Sequence, residues 1–328
     1  MPPAPGLGVV TVKQSLLLVV LVACGGGGDN PDAGPLPDAG TWTGEDLAGA
    51  CPLAERVGGF TVESGGNAPV VFGSVADAVL PISVLTELQS AGGCAILRKE
   101  NPFCEPPCGP NETCALDETC VAYPRNQGVG AITLTGLSAE VVMQPDVTKN
   151  YSNTTIAEPL FAADALIQLT AAGDELGAFT LRGVGSDDLV LATNDITIVP
   201  GEDLEIAYTA SGRTDVTMYF RLNVDQHGNS PGFLYCAQED TGTLTIPAAL
   251  VDGLLELGQS GVPNAYMSRR TTDSVDIGPG CADLVVSETI PPNQLHVIVE
   301  GVHYCTPPMM CPKGETCNFE TFICEPDV

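Results

Sequence analysis

The stretch VTMYFRLNV, residues 216–224, decides the fold class. Apolar side chains at 216, 218, 220, 222 and 224 alternate with larger or polar side chains at 217, 219, 221 and 223. Successive side chains of a β-strand point to opposite faces, so this period of two predicts a strand with one buried face and one wet face.

Further short apolar runs surround this strand and are separated by turn-forming residues such as Gly173-Asp174 and Pro200-Gly201. The additional predicted strands lie at 131–134, 139–143, 166–169, 179–181, 189–191, 196–199, 204–208, 244–246, 284–286 and 296–299. One helix is predicted from Pro247 to Leu257, with proline near its start and Gly258 after its end. Many short strands without alternating long helices predict a mainly β protein, an antiparallel, Ig-like β-sandwich over residues 128–301.

The chain contains 13 cysteines, a number that favours an oxidising compartment. If Cys24 is set aside, an even number remains and six disulfides can form without a free thiol. The predicted disulfide cysteines are Cys51, Cys94, Cys104, Cys108, Cys114, Cys120, Cys236, Cys281, Cys305, Cys311, Cys317 and Cys324.

Eight of these cysteines form an internal repeat. Residues 104–120 read CEPPCGPNETCALDETC and residues 305–324 read CTPPMMCPKGETCNFETFIC. In both, one residue separates the first cysteine from Pro-Pro, and Glu-Thr precedes the third cysteine. Four cysteines in so short a segment predict a small module stabilised by disulfides, one at 103–124 and one at 302–328. Three connectivities are possible for each module. The spacings lack the paired Cys-x2-Cys of structural zinc sites, so disulfides are favoured over zinc.

The four other cysteines are expected to pair with their neighbours in sequence, Cys51 with Cys94 and Cys236 with Cys281. On that basis residues 45–127 are predicted to form a small N-terminal unit that includes the first module. The β-sandwich over 128–301 and the second module then follow.

The N-terminal residues predict export. An apolar run from Leu16 to Ala23 follows Lys13 and ends Leu-Val-Ala-Cys at Cys24, and it is too short to cross a bilayer. Residues 1–23 are therefore predicted to be a signal peptide. Residues 24–44, rich in glycine, proline and aspartate, are predicted to be a flexible spacer.

The Leu-x-Ala-Cys ending resembles the lipobox of bacterial lipoproteins. Together with the spacer, the segment FCEPPC at 103–108 and the run TGTLTIPA at 241–248, it makes the chain similar to uncharacterised exported lipoproteins of myxobacteria and other δ-proteobacteria. The resemblance implies lipid on Cys24 and attachment to a cell-envelope membrane, with the outer membrane favoured. The cysteine repeats resemble truncated EGF-like modules, which implies pairing of the first cysteine with the third and the second with the fourth.

The charge excludes one class of partner. The chain has 12 Lys+Arg against 41 Asp+Glu and a net charge of −29. Nucleic-acid binding depends on cations that neutralise phosphates, so a nucleic-acid role is excluded.

No catalytic motif, cofactor motif or metal site is recognised. His296 and His303 are interpreted as structural histidines, and His227 as a turn residue. The acidic doublets Asp187-Asp188, Glu202-Asp203 and Glu239-Asp240 offer oxygen ligands for calcium, but they are interpreted as solvated loop residues because no calcium-loop motif exists. Gly258-Gln259-Ser260-Gly261 has the wrong spacing for the Gly-x-Ser-x-Gly motif of a serine hydrolase.

The sequence therefore predicts a non-enzymatic, lipid-anchored envelope protein that binds an unknown protein or glycan, or has a structural role. The alternative is an envelope hydrolase that acts on glycan or peptide through paired carboxylates, and a cleft containing such a pair would favour it.

Overall fold

The computed structural model describes residues 47–66, 68–100, 102–225, 232–305 and 311–327. Cys24, the spacer and His227 lie outside the described residues. The first strands are β1 (Arg56–Gly65), β2 (Val70–Ala76), β3 (Leu85–Ala91), β4 (Cys94–Lys99), β5 (Glu112–Cys114), β6 (Cys120–Ala122), β7 (Asn126–Gln127), β8 (Ile132–Thr135), β9 (Val141–Met143), β10 (Tyr151–Asn153), β11 (Leu166–Ala171) and β12 (Phe179–Val184). They are followed by β13 (Asp195–Ile198), β14 (Leu204–Ala207), β15 (Thr217–Asn223), β16 (Gly232–Glu239), β17 (Thr243–Ile246), the helix α1 (Ala248–Glu256), β18 (Asn264–Asp276), β19 (Cys281–Thr289), β20 (His296–Val299), β21 (Glu315–Asn318) and β22 (Ile323–Pro326).

A ten-stranded sheet dominates the fold, with the order β10-β2-β1-β19-β18-β15-β16-β4-β3 and β7 paired with β2. Its strands are antiparallel except for β1 and β19, which run parallel with Phe60 opposite Leu284. The pair β13 and β20 is also parallel. These two parallel pairs depart from the all-antiparallel arrangement expected from the sequence.

One face of this sheet is covered by two layers. The four-stranded sheet β12-β11-β8-β9 covers β1, β2 and β19, with Phe60, Val62 and Leu284 in the shared core. The pairs β13-β20 and β14-β17, together with α1, cover β15, β16 and β18, with Phe220 and Leu250 in a second core. The predicted fold class, mainly β with a β-sandwich and two small disulfide-rich modules, is confirmed.

The two layers of the first core lie close together where β12 crosses the large sheet. A Cβ atom on Gly183 would lie 2.4 Å from Cγ2 of Val286, so only glycine fits at this crossing. Beside it, the hydroxyl of Thr271 accepts a hydrogen bond from the amide of Val184 at 2.9 Å and donates one to the carbonyl of Val184 at 3.0 Å. A side chain of the large sheet thereby satisfies both backbone groups of a residue in the facing sheet.

Two of the predicted elements are confirmed and a third is shorter than expected. Strand β15 and helix α1 lie where the sequence predicted them. The carboxylate of Asp203 accepts a hydrogen bond from the amide of Ala248 at 2.7 Å, which satisfies one donor at the start of the helix. The strand predicted at 189–191 is reduced to a single bridge between Leu191 and Tyr208.

All twelve predicted cysteines form disulfides. In the two modules the bonds are Cys104–Cys114, Cys108–Cys120, Cys305–Cys317 and Cys311–Cys324, the pairing that the EGF-like pattern implies. The other two predicted pairings are wrong, because the bonds are Cys51–Cys281 and Cys94–Cys236. The sheet explains both. Residues Cys94 and Cys236 lie opposite each other on β4 and β16, and the parallel pairing of Arg56 with Cys281 brings the residues before β1 to the start of β19.

The boundary predicted between residues 127 and 128 does not divide the large sheet. Strands β1 to β4 come from the predicted N-terminal unit, yet β1 pairs with β19 and β4 pairs with β16. Among the described residues, no helix is long and apolar enough to cross a membrane.

Candidate functional site

The face of the large sheet that points away from both cores is the open face, and it carries an unusual set of side chains. An antiparallel sheet that packs on one side exposes mostly polar residues on the other. Strands β15, β16 and β18 instead present a group that we call the tyrosine–arginine cluster, formed by Tyr219, Arg221, Phe233, Tyr235, Tyr266 and Arg270.

Strand register brings this cluster together from distant parts of the chain. Arg221 lies opposite Tyr235 on β16 and opposite Tyr266 on β18. Tyr219 lies two residues before Arg221 on β15 and therefore on the same face. Its ring makes edge-on contacts with the rings of Tyr235 at 4.8 Å and Tyr266 at 5.9 Å between centroids. Cross-strand aromatic contacts of this kind fix the rings in place.

Both arginines stack on aromatic rings. The guanidinium carbon of Arg270 lies 3.4 Å from the centroid of Tyr219 and 5.3 Å from that of Tyr266. That of Arg221 lies 4.4 Å from the centroid of Phe233. A ring face attracts a cation and also limits the rotamers of its side chain, so the two positive charges are held at defined positions on the face.

The cluster lines a groove of about 920 Å³. Leu85, Leu97 and Val285 add apolar surface to it, and residues 47 to 53 form part of its wall. A second groove of about 690 Å³ continues along the same face toward β2, where Phe72 is 45% exposed. The two grooves share Arg56, so they form adjoining parts of one surface.

Some charged side chains of the groove form ion pairs and others do not. Outside the cluster, Arg56 forms an ion pair with Asp283 at 3.5 Å. Burial raises the pKa of Asp283, whose carboxylate also accepts a hydrogen bond from the amide of Cys51 at 2.8 Å. Burial likewise raises the pKa of Tyr235. Arg221 and Arg270, in contrast, form no ion pair with any carboxylate of the described residues.

The histidines singled out in the sequence are placed apart from the cluster. His296 at the start of β20 contacts Asp195 at 3.1 Å, and His303 contacts Glu315 at 3.1 Å, both at exposed positions. Each histidine therefore has its own carboxylate neighbour.

The three acidic doublets have separate roles. Asp240 is buried and forms an ion pair with the equally buried Arg269, with 2.8 Å between Oδ2 and Nε. Asp203 binds the first turn of α1. Only Asp187 and Asp188 line a cleft with other acids.

This acidic cleft, of about 510 Å³, also contains Ser64, Glu158 and Glu288. The Ser64 hydroxyl donates a hydrogen bond to Glu158 at 3.4 Å. Burial, together with the negative charges of Asp188 and Glu158, raises the pKa of Glu288 to about 7, and the nearby Ser64 hydroxyl and Arg269 oppose the rise. Glu288 therefore keeps its proton at a pH where an exposed glutamate has lost it.

Comparison with known proteins adds no family. No protein-family model matches the chain, and no curated protein matches it. Among solved structures it is similar to the chicken CNTN1 FN1-FN3 domains, with a TM-score of 0.18 and 8% sequence identity over 68% of this chain and 78% of that chain. A TM-score this low carries no argument about function.

Proposed function

We propose that the protein is a non-enzymatic binding protein that recognises its ligand through the tyrosine–arginine cluster on the open face. The observation that carries the proposal is the stacking of Arg221 and Arg270 on exposed-face rings without a carboxylate partner. Tyrosine and arginine are among the residues most enriched where binding energy concentrates in interfaces.

A panel of immobilised polymers tests this proposal. It includes acidic, neutral and basic polypeptides together with acidic and neutral polysaccharides. We expect the protein to be retained by at least one polymer, and the double variant Tyr219→Ala/Arg270→Ala to lose that retention. Arg182→Ala is the matched control, because Arg182 is exposed, pairs with no carboxylate of the described residues and lies on β12, away from the groove. Equal retention of the cluster variant, or no retention of the unmodified protein, would contradict the proposal.

We also propose that the protein is anchored by lipid on Cys24 in a bacterial cell envelope. The lipobox-like ending, the spacer after it and the odd number of cysteines support this. Changing Cys24 to serine is expected to leave the precursor uncut or release the protein into the soluble fraction. Unchanged retention in the membrane fraction, measured by fractionation and immunoblotting, would contradict the anchor.

One observation favours a second function, hydrolysis in the acidic cleft. A carboxyl group that keeps its proton near neutral pH beside other carboxylates resembles the acid–base pairs of glycosidases. If the cleft is catalytic, Glu288→Gln abolishes turnover of a glycan or peptide substrate and leaves polymer retention unchanged. No turnover by the unmodified protein across such substrates excludes this alternative.

A further inference from the structure

The proposed function leaves open what the groove binds, and its charge, shape and polarity each bear on the answer. Resting on that function, we propose that the groove over the tyrosine–arginine cluster takes an extended segment of a partner protein that carries acidic and apolar residues on one face.

The charge argument begins with the cations that line the groove. In a chain with a net charge of −29, carboxylates are abundant, and five of the described cations form ion pairs: Arg56, Arg98, Lys149, Arg213 and Arg269. Arg221, Arg270 and Lys99 line the groove and have no such partner among the described residues. These three cations outnumber Glu87, the one carboxylate of the lining that forms no ion pair with a described residue, so the groove complements an anionic ligand.

The free donors are already positioned. The Nε of Arg270 donates to the hydroxyl of Ser268 at 2.6 Å, and its two terminal nitrogens donate to no atom of the described residues. Arg221 stacks on Phe233 and is exposed. A guanidinium held in this way offers two parallel N–H groups to a carboxylate with little further loss of side-chain freedom.

The polarity of the groove separates a peptide from a sugar. A sugar ring brings several hydroxyl groups, and each needs a hydrogen-bond partner when it is buried. The groove instead offers Leu85, Leu97 and Val285 beside the aromatic rings. Of its three carboxylates, Asp215 and Asp283 already bind Arg213 and Arg56, which leaves Glu87 as the one carboxylate acceptor without an ion pair to a described residue. Apolar side chains next to acidic ones match this lining.

Strand geometry sets the spacing that the ligand needs. Arg270 lies opposite Thr217, and Arg221 is four residues further along β15, roughly 14 Å at 3.4 Å per residue. The Arg270 guanidinium leans over Tyr219, which shortens the distance between the two charges. An extended segment matches them with acidic residues about four positions apart, so that the residue midway between them lies on the same face and contacts the rings.

A library of random 12-residue peptides displayed on phage tests the proposal. It is selected against the full chain, and each enriched peptide is measured on the protein and on Arg221→Gln, Arg270→Gln and the control Arg182→Gln, with thermal unfolding of every variant to show that it is folded. We expect enriched peptides to contain two acidic residues and an apolar residue at the stated spacing. Either groove variant should weaken them about 10-fold or more, the loss of one charge-assisted pair, and the control should not.

Two results would overturn the peptide assignment and leave the proposed function standing. They are enrichment of neutral or basic peptides whose binding depends on the cluster, and cluster-dependent binding of polygalacturonate without any enriched peptide. Enriched acidic peptides that bind both groove variants unchanged would overturn the assignment and the proposed function together.

Discussion

The pair formed by Arg269 and Asp240 is the most deeply buried charge in the described structure, with side-chain exposures of 1% and 0%. Arg269 also donates to the carbonyls of Asp187 and Asp188 at 3.0 and 3.3 Å, so it connects β18 to the loop that borders the acidic cleft. Breaking such a pair leaves one charge buried without compensation.

We therefore expect Arg269→Met to lower the free energy of unfolding by about 3–5 kcal/mol. The double variant Arg269→Met/Asp240→Asn should recover part of that loss, because it removes the orphaned charge. Urea unfolding followed by circular dichroism measures both. A double variant that is no more stable than the single one would argue that the charge pair is not the cause.

Glu288 is expected to make the protein less stable as the pH rises, the opposite of the usual effect of a carboxyl group. Its pKa is raised from 4.5 to about 7 by burial, so the folded state holds a proton that the unfolded chain releases above pH 4.5. The free energy of unfolding is therefore expected to fall as the pH rises from about 4.5 to about 7, and then to level off. Because Glu288 is only partly buried, the expected size is about 1–2 kcal/mol after allowance for solvent screening.

Glu288→Gln should remove this slope and make the protein more stable than the unmodified chain at pH 8. Thermal unfolding at half-unit intervals between pH 4.5 and 8 measures it, with Glu205→Gln on the exposed face of β14 as the control. A slope that persists unchanged in Glu288→Gln must come from other groups.

At the scale of elements, the close crossing of β12 over the large sheet sets a limit on side-chain size. A Cβ at residue 183 would lie 2.4 Å from Cγ2 and 3.2 Å from Cβ of Val286, a stiff β-branched side chain. Gly183→Ala is therefore expected to lower the free energy of unfolding by about 1–3 kcal/mol through overpacking.

Chemical denaturation measures this effect, and two further variants locate it. Gly177→Ala should be close to neutral, because a Cβ there has no neighbour within 4 Å. Val286→Ala combined with Gly183→Ala should restore part of the lost stability. If Gly177→Ala is as damaging as Gly183→Ala, the crossing is not the reason.

The elements also show why some strands could be predicted and others could not. Strand β15 could be predicted because Met218, Phe220 and Leu222 are all buried on one face, so apolar residues alternate regularly with polar or larger ones in the sequence. Strand β18 was missed, since buried Ser268, Arg269 and Thr271 place polar side chains on both of its faces. Tertiary hydrogen bonds and an ion pair satisfy these groups, and no local pattern reveals that.

The same limit applies to the site. Tyr219 and Arg221 were correctly placed on the face of β15 opposite the core, but Tyr235, Tyr266 and Arg270 join them only through strand register. The signal available in the sequence was the presence of two large side chains on a face where small polar residues are usual. Their partners could not be found without the order of the strands.

At the scale of the whole molecule, two disulfides connect early and late parts of the chain. Cys51–Cys281 spans 230 residues and Cys94–Cys236 spans 142. Peptide mapping under non-reducing conditions is expected to find these two bonds and no bond between Cys51 and Cys94. Detection of Cys51–Cys94 in the folded protein would contradict the sheet order as well as the pairing.

Removing the longer bond by Cys51→Ala/Cys281→Ala is expected to lower the free energy of unfolding by about 2–5 kcal/mol, because the unfolded chain gains freedom over a long loop. The matched control is Cys108→Ala/Cys120→Ala, which removes a bond that spans only 12 residues in the first module. Denaturant unfolding should show a larger loss for the longer bond than for the shorter one.

The pairing of β1 with β19 also has a consequence for biogenesis. If the chain is threaded through a membrane from its amino end, β1 emerges with one edge unpaired. Its partner at that edge, β19, follows more than 200 residues later. During that interval Cys51 meets Cys94 before it can meet Cys281, so oxidation in order of emergence produces a bond that the finished sheet does not contain. Efficient maturation then depends on an enzyme that reshuffles disulfides, and on protection of the waiting strand edge against pairing with another chain.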